Sequence, residues 1–503
     1  MSTRTVAVIG GGPAGLFAAR LIKLDDPSNE VTVYERNSPD TATFGFGVGL
    51  TESTMINVER ADPQAAEMIR NTSRAGHDLV LRHESGDVIL HGARNLAVGR
   101  SELLTVLEYL AIDVGVQIRH GTRVTVGDVD ADVIIAADGV RSATRERYAD
   151  ELGAHETPGR GRYMWCGIDF AVDAAFFAAH TRGDGLFVTH AYPYTEDRST
   201  FLIEVDDETF DRSELREFDA GTPPGQSDAR SIEFLSDIFT DELKQRPLLA
   251  NRSRWSRFST IGLDRWWHDN VVLLGDAAHT AHYTIGSGTK LALEDAIALA
   301  AGLREHADVA AAFASYESAR RPGVERFKVL AGRSQRWWES YRLRYQQPAE
   351  QLALSYMTRA GNLGVADFAR TEPITAAAAL RRLGDEPPTD PDAIDDWILD
   401  RETAADLRST NESAERHVFW TDPDVWDIRA DRLVADLDHL ARVHIDGPDD
   451  DAAIGARIDL AERISLTRTG DRPQTVVQLP ERARAQAAGA LAVGRCDAVQ
   501  LDQ

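Results

Sequence analysis

RTVAVIGGGPAGLFAARLIKL, residues 4–24, carries the strongest fold signal in the chain. It opens as a short β-branched run that ends at Gly10, and an apolar helical pattern through Leu16, Ala19 and Leu24 follows. NEVTVYER at 29–36 then reads as a second strand, which completes a βαβ unit. The spacing Gly10-x-Gly12-x-x-Gly15 falls on the turn between strand and helix. There Gly10 permits the tight turn, Gly12 lets backbone approach a pyrophosphate, and Gly15 lets the helix pack on the strand. With Pro13 and Ala14 these residues open a helix whose unpaired N–H groups suit phosphate oxygens. Glu35 ends the second strand, where a carboxylate takes ribose hydroxyls, and Arg36 stands beside it. The motif specifies a dinucleotide and leaves FAD and NAD open.

The chain has 503 residues, which at roughly 150 residues per domain suggests about three domains. Apolar residues at 43% and charged residues at 27% exclude global disorder and collagen-like composition. Every apolar run is broken by charge well before the ~18 residues that a membrane span needs, so a cytoplasmic protein without a membrane partner is expected. Two cysteines, Cys166 and Cys496, cannot build a disulfide framework, and no Cys/His cluster has zinc spacing, so no metal is expected. The balance of 55 basic against 81 acidic residues, a net charge of −26, argues against nucleic acid as a partner. An anionic substrate would then need a local basic patch.

Further along, 79–98 reads as strands and turns, 101–115 as an amphipathic helix and 129–139 as a buried strand. Residues 160–210 change to antiparallel strands between Gly, Asp and Pro turns, the mark of an inserted domain, closed by a helix at 231–244. DNVVLLGDAAH at 269–279 returns to a parallel-type strand. A long helical stretch runs from Lys290 to about Gln346, with a break expected near Pro322. LGDEPPTDPDAIDD at 383–396 is a linker candidate, and DRLVADLDHLARV at 431–443 reads as helix. The last 30 residues read as strand, helix and strand. The fold class is α/β: a Rossmann-like domain with an α+β insertion and an extra C-terminal module.

Two further segments carry the cofactor reading. Ala137-Asp138-Gly139-Val140-Arg141-Ser142 follows one buried strand. Gly275-Asp276-Ala277-Ala278-His279 follows another, with Gly286-x-Gly288 ten residues on. With Arg100 in VGRSELL, these motifs occur in the order found in the single-component (group A) flavin aromatic hydroxylases of the p-hydroxybenzoate hydroxylase fold, which the chain resembles over residues 1 to about 345. The resemblance implies FAD, with Asp276 on the ribitol, Gly286 and Gly288 against the isoalloxazine, Asp138 supporting flavin and transient NADH or NADPH, and Arg100 at the FAD phosphates. It implies hydroxylation of an electron-rich aromatic ring by O2 through a C4a-hydroperoxyflavin. A second GxGxxG on a strand–helix turn is absent, so no separate nicotinamide domain is expected.

The segment from His279 to Lys290 departs from the common pattern, with His282 and Tyr283 where prolines usually stand and Lys290 in place of asparagine. It looks like the hydroxylases of aromatic acyl-CoA thioesters, such as salicylyl-CoA 5-hydroxylase and the monooxygenase half of 2-aminobenzoyl-CoA monooxygenase/reductase. FGFGVGL at 44–50 and RWWHDNVVLLGDAAH at 265–279 also resemble that subgroup. His282 is the catalytic candidate, a proton acceptor or donor at the flavin edge; the other reading is a histidine bonded to backbone. Lys290 either offsets charge on reduced flavin or is a plain helix N-terminal residue. Gly47, Tyr192 and Tyr283 are substrate-binding candidates, with Tyr163, Trp165, Phe187, His190 and Tyr194 lining the inserted sheet.

Arg333, Arg336 and Arg344 share one helical face and are candidates for CoA phosphates; the other reading is an internally paired face. The resemblance assigns 1–78, 99–158 and 260–345 to FAD binding and 79–98 with 159–259 to substrate. Residues 346–503 are too few for a (β/α)8 barrel of ~250 residues; a barrel remnant, another small module and a homodimerisation element stay open, with no second flavin expected. The rival functions are hydroxylation of a free or carrier-bound aromatic or indolic compound, and non-catalytic FAD binding as a sensor or partner protein.

Overall fold

The structure is a computed structural model that describes residues 3–39, 45–91, 95–286, 288–405, 415–437, 440–467 and 472–502. Phe44 of the FGFGVGL stretch lies outside these residues. The chain divides into two compact units, Met1–Val80 with Gly92–Ala331, and Leu81–His91 with Gly332–Gln503.

In the first unit the strand Thr5–Ile9 is central, paired in parallel with Glu30–Tyr34 on one side and Val133–Ala136 on the other. Val271–Leu273 and the antiparallel Trp267–His268 extend one edge, and Gln117–Arg119 the other, for six strands. The central strands read as continuous apolar runs because both faces are covered: Val8, Val33, Ile135 and Val272 are fully buried. The helix Pro13–Asp25 packs on this sheet through Phe17, Ala18 and Ala19. Gly15 makes that approach possible, since a Cβ there would lie 2.1 Å from the Gly10 carbonyl oxygen.

An antiparallel sheet carries Ser256–Gly262, His155–Ile168, Ser199–Val205, Gly185–Pro193 and Ala175–Arg182 in that order. Its period of two sorts the side chains. Met164, Cys166, Ile168, Phe187, Ala191, Phe201 and Ile203 enter an apolar core. Tyr163, Trp165, His190 and Glu204, at alternate positions, belong to the opposite face.

In the second unit four parallel strands, Glu415–Phe419, Arg442–Asp446, Gln474–Pro480 and Ala498–Asp502, pair in sequence order. Helices Ile428–Ala435, Asp451–Thr467 and Arg484–Ala492 connect them. The expected terminal strand–helix–strand is thus the last of three successive units. Three sequence expectations need correction. The helix expected over 431–443 ends at Ala435, and Arg442–Asp446 is a strand because Val443 and Ile445 alternate into the core. Pro322 lies inside the helix Val309–Glu339, and the break comes at 306–308, where Asp308 accepts a hydrogen bond from the Ala311 N–H. The linker candidate ends in structure: Asp390 caps the short turn Pro391–Ala393, and Ile394 and Ile398 of the next helix are buried.

Residues 332–345 pack with this second unit. Arg333 and Arg344 are buried, and Arg336 lies beside them. Arg336 reaches Asp459 at 3.1 Å, Arg333 lies 3.5 Å from the same carboxylate, and Arg344 pairs with Glu462 at 2.9 Å. This geometry favours the internally paired reading over CoA phosphate binding, because the guanidinium charges already face carboxylates inside the unit. Removing one partner of such a pair leaves a buried charge and costs about 3 kcal/mol or more. Glu462→Gln should therefore lower the unfolding temperature by several degrees in calorimetry while leaving the circular dichroism of the folded protein unchanged.

Candidate active site

The helix Pro13–Asp25 starts without a side-chain cap on its first N–H groups, and Pro13 at its first position has no N–H to satisfy. A Cβ on Gly12 would meet nothing within 4 Å, so the turn is open to an incoming phosphate. Gly10 has φ +110°, and a Cβ there would strike the Ala137 carbonyl at 2.2 Å. The glycine turn and the Asp138 motif therefore sit edge to edge. Glu35 accepts hydrogen bonds from the Gly11 N–H at 2.8 Å and the Asn37 N–H at 2.8 Å, which fixes its carboxylate beside the turn; Arg36 is exposed. One Asp138 oxygen accepts from the Thr144 N–H and hydroxyl, both at 3.1 Å, and the other is buried without a hydrogen bond.

The Gly275-Asp276 turn is held from below by Asp295. That buried carboxylate accepts from the Gly275 N–H at 3.0 Å and from the Arg320 Nε–H at 2.9 Å, and His279 Nε2 lies 2.9 Å away. Burial pushes the Asp295 carboxyl up, but His279 and Arg320 outweigh it and hold it below the usual range. A Cβ on Gly275 would come within 3.2 Å of the Ala14 Cβ, so this turn packs against the start of the first helix. The Asp276 side chain is exposed, yet the surrounding protein desolvates it and pushes its pKa up, against the pull of Arg100 and His279. Arg100 opens the helix Arg100–Asp113, and its own N–H donates to the Phe46 carbonyl at 2.9 Å. Arg145, which sequence reading missed, donates to the Ala277 carbonyl at 2.9 Å. It lies in the short helix Ala143–Arg147 after the Asp138 motif, so its place was visible only once the two motifs met.

This donor set fits FAD. The glycine turn is open where phosphates could sit, the Glu35 and Asp276 carboxylates could take sugar and ribitol hydroxyls, Arg100 could supply positive charge, and one Asp138 oxygen has no hydrogen bond. Gly286 takes the left-handed conformation at φ +68°, and Gly288 begins the helix Gly288–Glu305. Lys290, in its first turn, lies over the Phe327 ring at 5.2 Å.

Between these segments His282 is buried, with Nδ1 2.9 Å from the Thr284 hydroxyl and its ring against Phe258 at 4.8 Å. The Tyr283 ring meets Tyr163 at 5.1 Å, Trp165 at 5.9 Å and Phe258 at 5.9 Å, all four half-buried. They form an aromatic recess whose Tyr163 hydroxyl feels both Asp276 and Glu204. Tyr192 instead donates to the Gly47 carbonyl at 2.7 Å, and burial raises its pKa to about 12. Gly47 in turn donates to the Thr200 hydroxyl at 3.0 Å, and a Cβ there would strike Tyr194 at 2.7 Å. These two residues join strands to one another. Glu204, which bonds Tyr283 and lies 3.0 Å from His190, was not singled out in the sequence. The signal was a carboxylate at an inward position of the apolar run STFLIEV. Among the described residues no group of three or more His, Cys, Asp or Glu could hold a metal, and no helix is long and apolar enough to cross a membrane.

Comparison with known proteins agrees with this geometry. Residues 3–329 match the family model described as FAD binding domain. The chain is 38% identical over 372 residues to a salicyloyl-CoA 5-hydroxylase of Streptomyces sp, covering 72% of each. It is 37% identical over 364 residues to a 3-hydroxy-4-methyl-anthranilyl-[aryl-carrier protein] 5-monooxygenase of Streptosporangium sibiricum, covering 72% of this chain and 96% of the other. Among solved structures, 2-methyl-3-hydroxypyridine-5-carboxylic acid oxygenase superposes with a TM-score of 0.55 at 19% identity, covering 74% of this chain and 98% of that one. Pseudomonas aeruginosa PqsL gives 0.54 at 21%, covering 69% and 99%. The open glycine turn, the Asp276 cleft and these matches agree: the chain belongs to the FAD-binding family of aromatic monooxygenases, which use NAD(P)H and O2.

Proposed function

We propose that this monooxygenase hydroxylates an aromatic ring carried as a thioester, with an OH or NH2 donor on the ring, of the salicylyl-CoA or 2-aminobenzoyl-CoA type. One observation carries the thioester reading. Two relatives above 35% identity are both named for an aromatic acyl group attached to a carrier, CoA in one and an aryl-carrier protein in the other. The aromatic recess of Tyr163, Trp165, Phe258 and Tyr283 suits the ring itself.

Bound FAD supplies oxygen activation with electrons from NAD(P)H. The chain supplies position and electrostatics. The N–H groups after Gly12 and the Arg100 charge would hold the phosphates, Glu35 would hold the ribose and Asp276 the ribitol. Gly286 and Gly288 leave room for a flat ring system beside the recess. The aromatic walls orient the substrate and exclude water. His282, fixed by Thr284 and Phe258, handles the ring donor's proton during attack. Lys290 adds positive charge near the same loop. The first unit contains both the cofactor cleft and the substrate sheet, and the second unit is an appended module without a flavin of its own.

Anaerobic stopped-flow reduction of the purified holoenzyme by NADH and by NADPH tests the substrate class. Salicylyl-CoA or 2-aminobenzoyl-CoA should accelerate flavin reduction at least about tenfold, and the free acids should not; stimulation by the free acids alone would discard the thioester reading. His282→Ala should retain FAD and slow hydroxylation by about a hundredfold, with a much smaller effect on reduction. Equal losses in the two half-reactions would make it a structural residue. Extraction should release one FAD per chain, and a ratio of two would place a second flavin in the C-terminal module.

A further inference from the structure

Glu204 is a half-buried carboxylate, its side chain 13% exposed, that the steps above do not use. It sits on the strand Ser199–Val205, on the face of the sheet opposite the apolar core. One of its oxygens accepts a hydrogen bond from the Tyr283 hydroxyl, and the other lies 3.0 Å from His190 Nε2. His190 belongs to the adjacent strand Gly185–Pro193 and is itself 9% exposed, braced edge-on by Phe177 at 4.7 Å. Burial pushes the Glu204 carboxyl up; the His190 charge and hydrogen bond, the His282 charge and the Tyr283 hydroxyl outweigh this and hold it below the usual range. Glu204 is therefore an anion, and an acceptor only.

That fixes the polarity of Tyr283. A tyrosine hydroxyl has one proton to donate and two lone pairs. The anion claims the proton, so the oxygen turns only lone pairs toward anything else. Tyr283 is half-buried in the aromatic recess, between Tyr163, Trp165 and Phe258. We propose that Glu204, anchored by His190, is a specificity-determining positioning residue that makes Tyr283 an obligate acceptor in the substrate recess, so that the site selects rings bearing an O–H or N–H donor against isosteres bearing only an acceptor. The inference rests on the aromatic hydroxylase reading and on the placement of the ring in this recess; it does not depend on the thioester.

The discrimination follows from the cost of facing two acceptors at each other in a buried site, which amounts to a tenfold loss of affinity or more. Salicylyl-CoA and 2-fluorobenzoyl-CoA make a fitting pair, because fluorine is smaller than hydroxyl and accepts without donating. Salicylate and 2-fluorobenzoate make the same comparison without the carrier. Dissociation constants for all four, from perturbation of the flavin absorbance of the holoenzyme, give the ratio within each pair.

In the native protein the hydroxy member of each pair that binds should bind at least about tenfold tighter. Glu204→Gln presents an amide that can donate to Tyr283 and frees its proton; the ratio should fall to within about threefold of one, with FAD content unchanged. Tyr283→Phe keeps the ring, removes the hydroxyl and should give the same collapse, which covers a Glu204→Gln protein that fails to fold. Native protein that shows no preference within a pair it binds, or binds none of the four, overturns the inference, as does an unchanged ratio in either folded variant. Discrimination between the free acids without binding of either thioester would uphold it and discard the thioester reading.

Discussion

The buried carboxylate of Asp295 is the interaction on which the cofactor cleft depends. It lies in the helix Gly288–Glu305 and gathers the Gly275 N–H, His279 and Arg320. A bare carboxylate at this depth would be too costly to keep charged, and the two basic side chains make it affordable. In return it fixes the turn after Val271–Leu273, presses Gly275 against Ala14 and sends the Asp276 side chain outward. Arg320 also bonds Glu294, which ties the long helix Val309–Glu339 to the same point. One charge therefore joins the first helix, the last sheet strand and the segment that carries His282 and Tyr283.

The antiparallel sheet solves a second problem by its alternation. A single strand cannot be apolar on both faces and still offer polar groups to a substrate. Met164, Cys166, Phe201 and Ile203 bury one face, which leaves Tyr163, Trp165 and Glu204 on the other. Rigid strands thus hold both the recess walls and its carboxylate, and the short turn Tyr283–Ile285 supplies Tyr283.

In the second unit a helical face of arginines reads as a polyanion site until its partners are seen. Asp459 and Glu462 come from the helix Asp451–Thr467, over a hundred residues later in the chain. In a chain with 81 acidic residues an arginine stripe has many internal partners, and the charge count cannot tell a ligand from a neighbour.

From the sequence alone the strand–turn–helix frame on which the FAD reading rests was legible. Glycine spacing, strand–helix order and the position of Glu35 are local, and the backbone of a phosphate turn has few ways to form. Arg100, Asp138 and Asp276 were picked out for a related reason: each follows or opens an element of the same unit, and the fold gathers them near the glycine turn. The strand at 442–446 was misread because a short apolar run has no period of its own to separate strand from helix end. Pairings made at a distance became visible only in the fold. Glu204 meets His190 across neighbouring strands and Tyr283 from a loop 79 residues away, and Arg344 meets Glu462. Such pairs have no sequence spacing, because the register of strands and the docking of helices bring them together. Their protonation and hydrogen-bond direction follow from the balance between burial and those distant partners, which no single residue in the chain encodes.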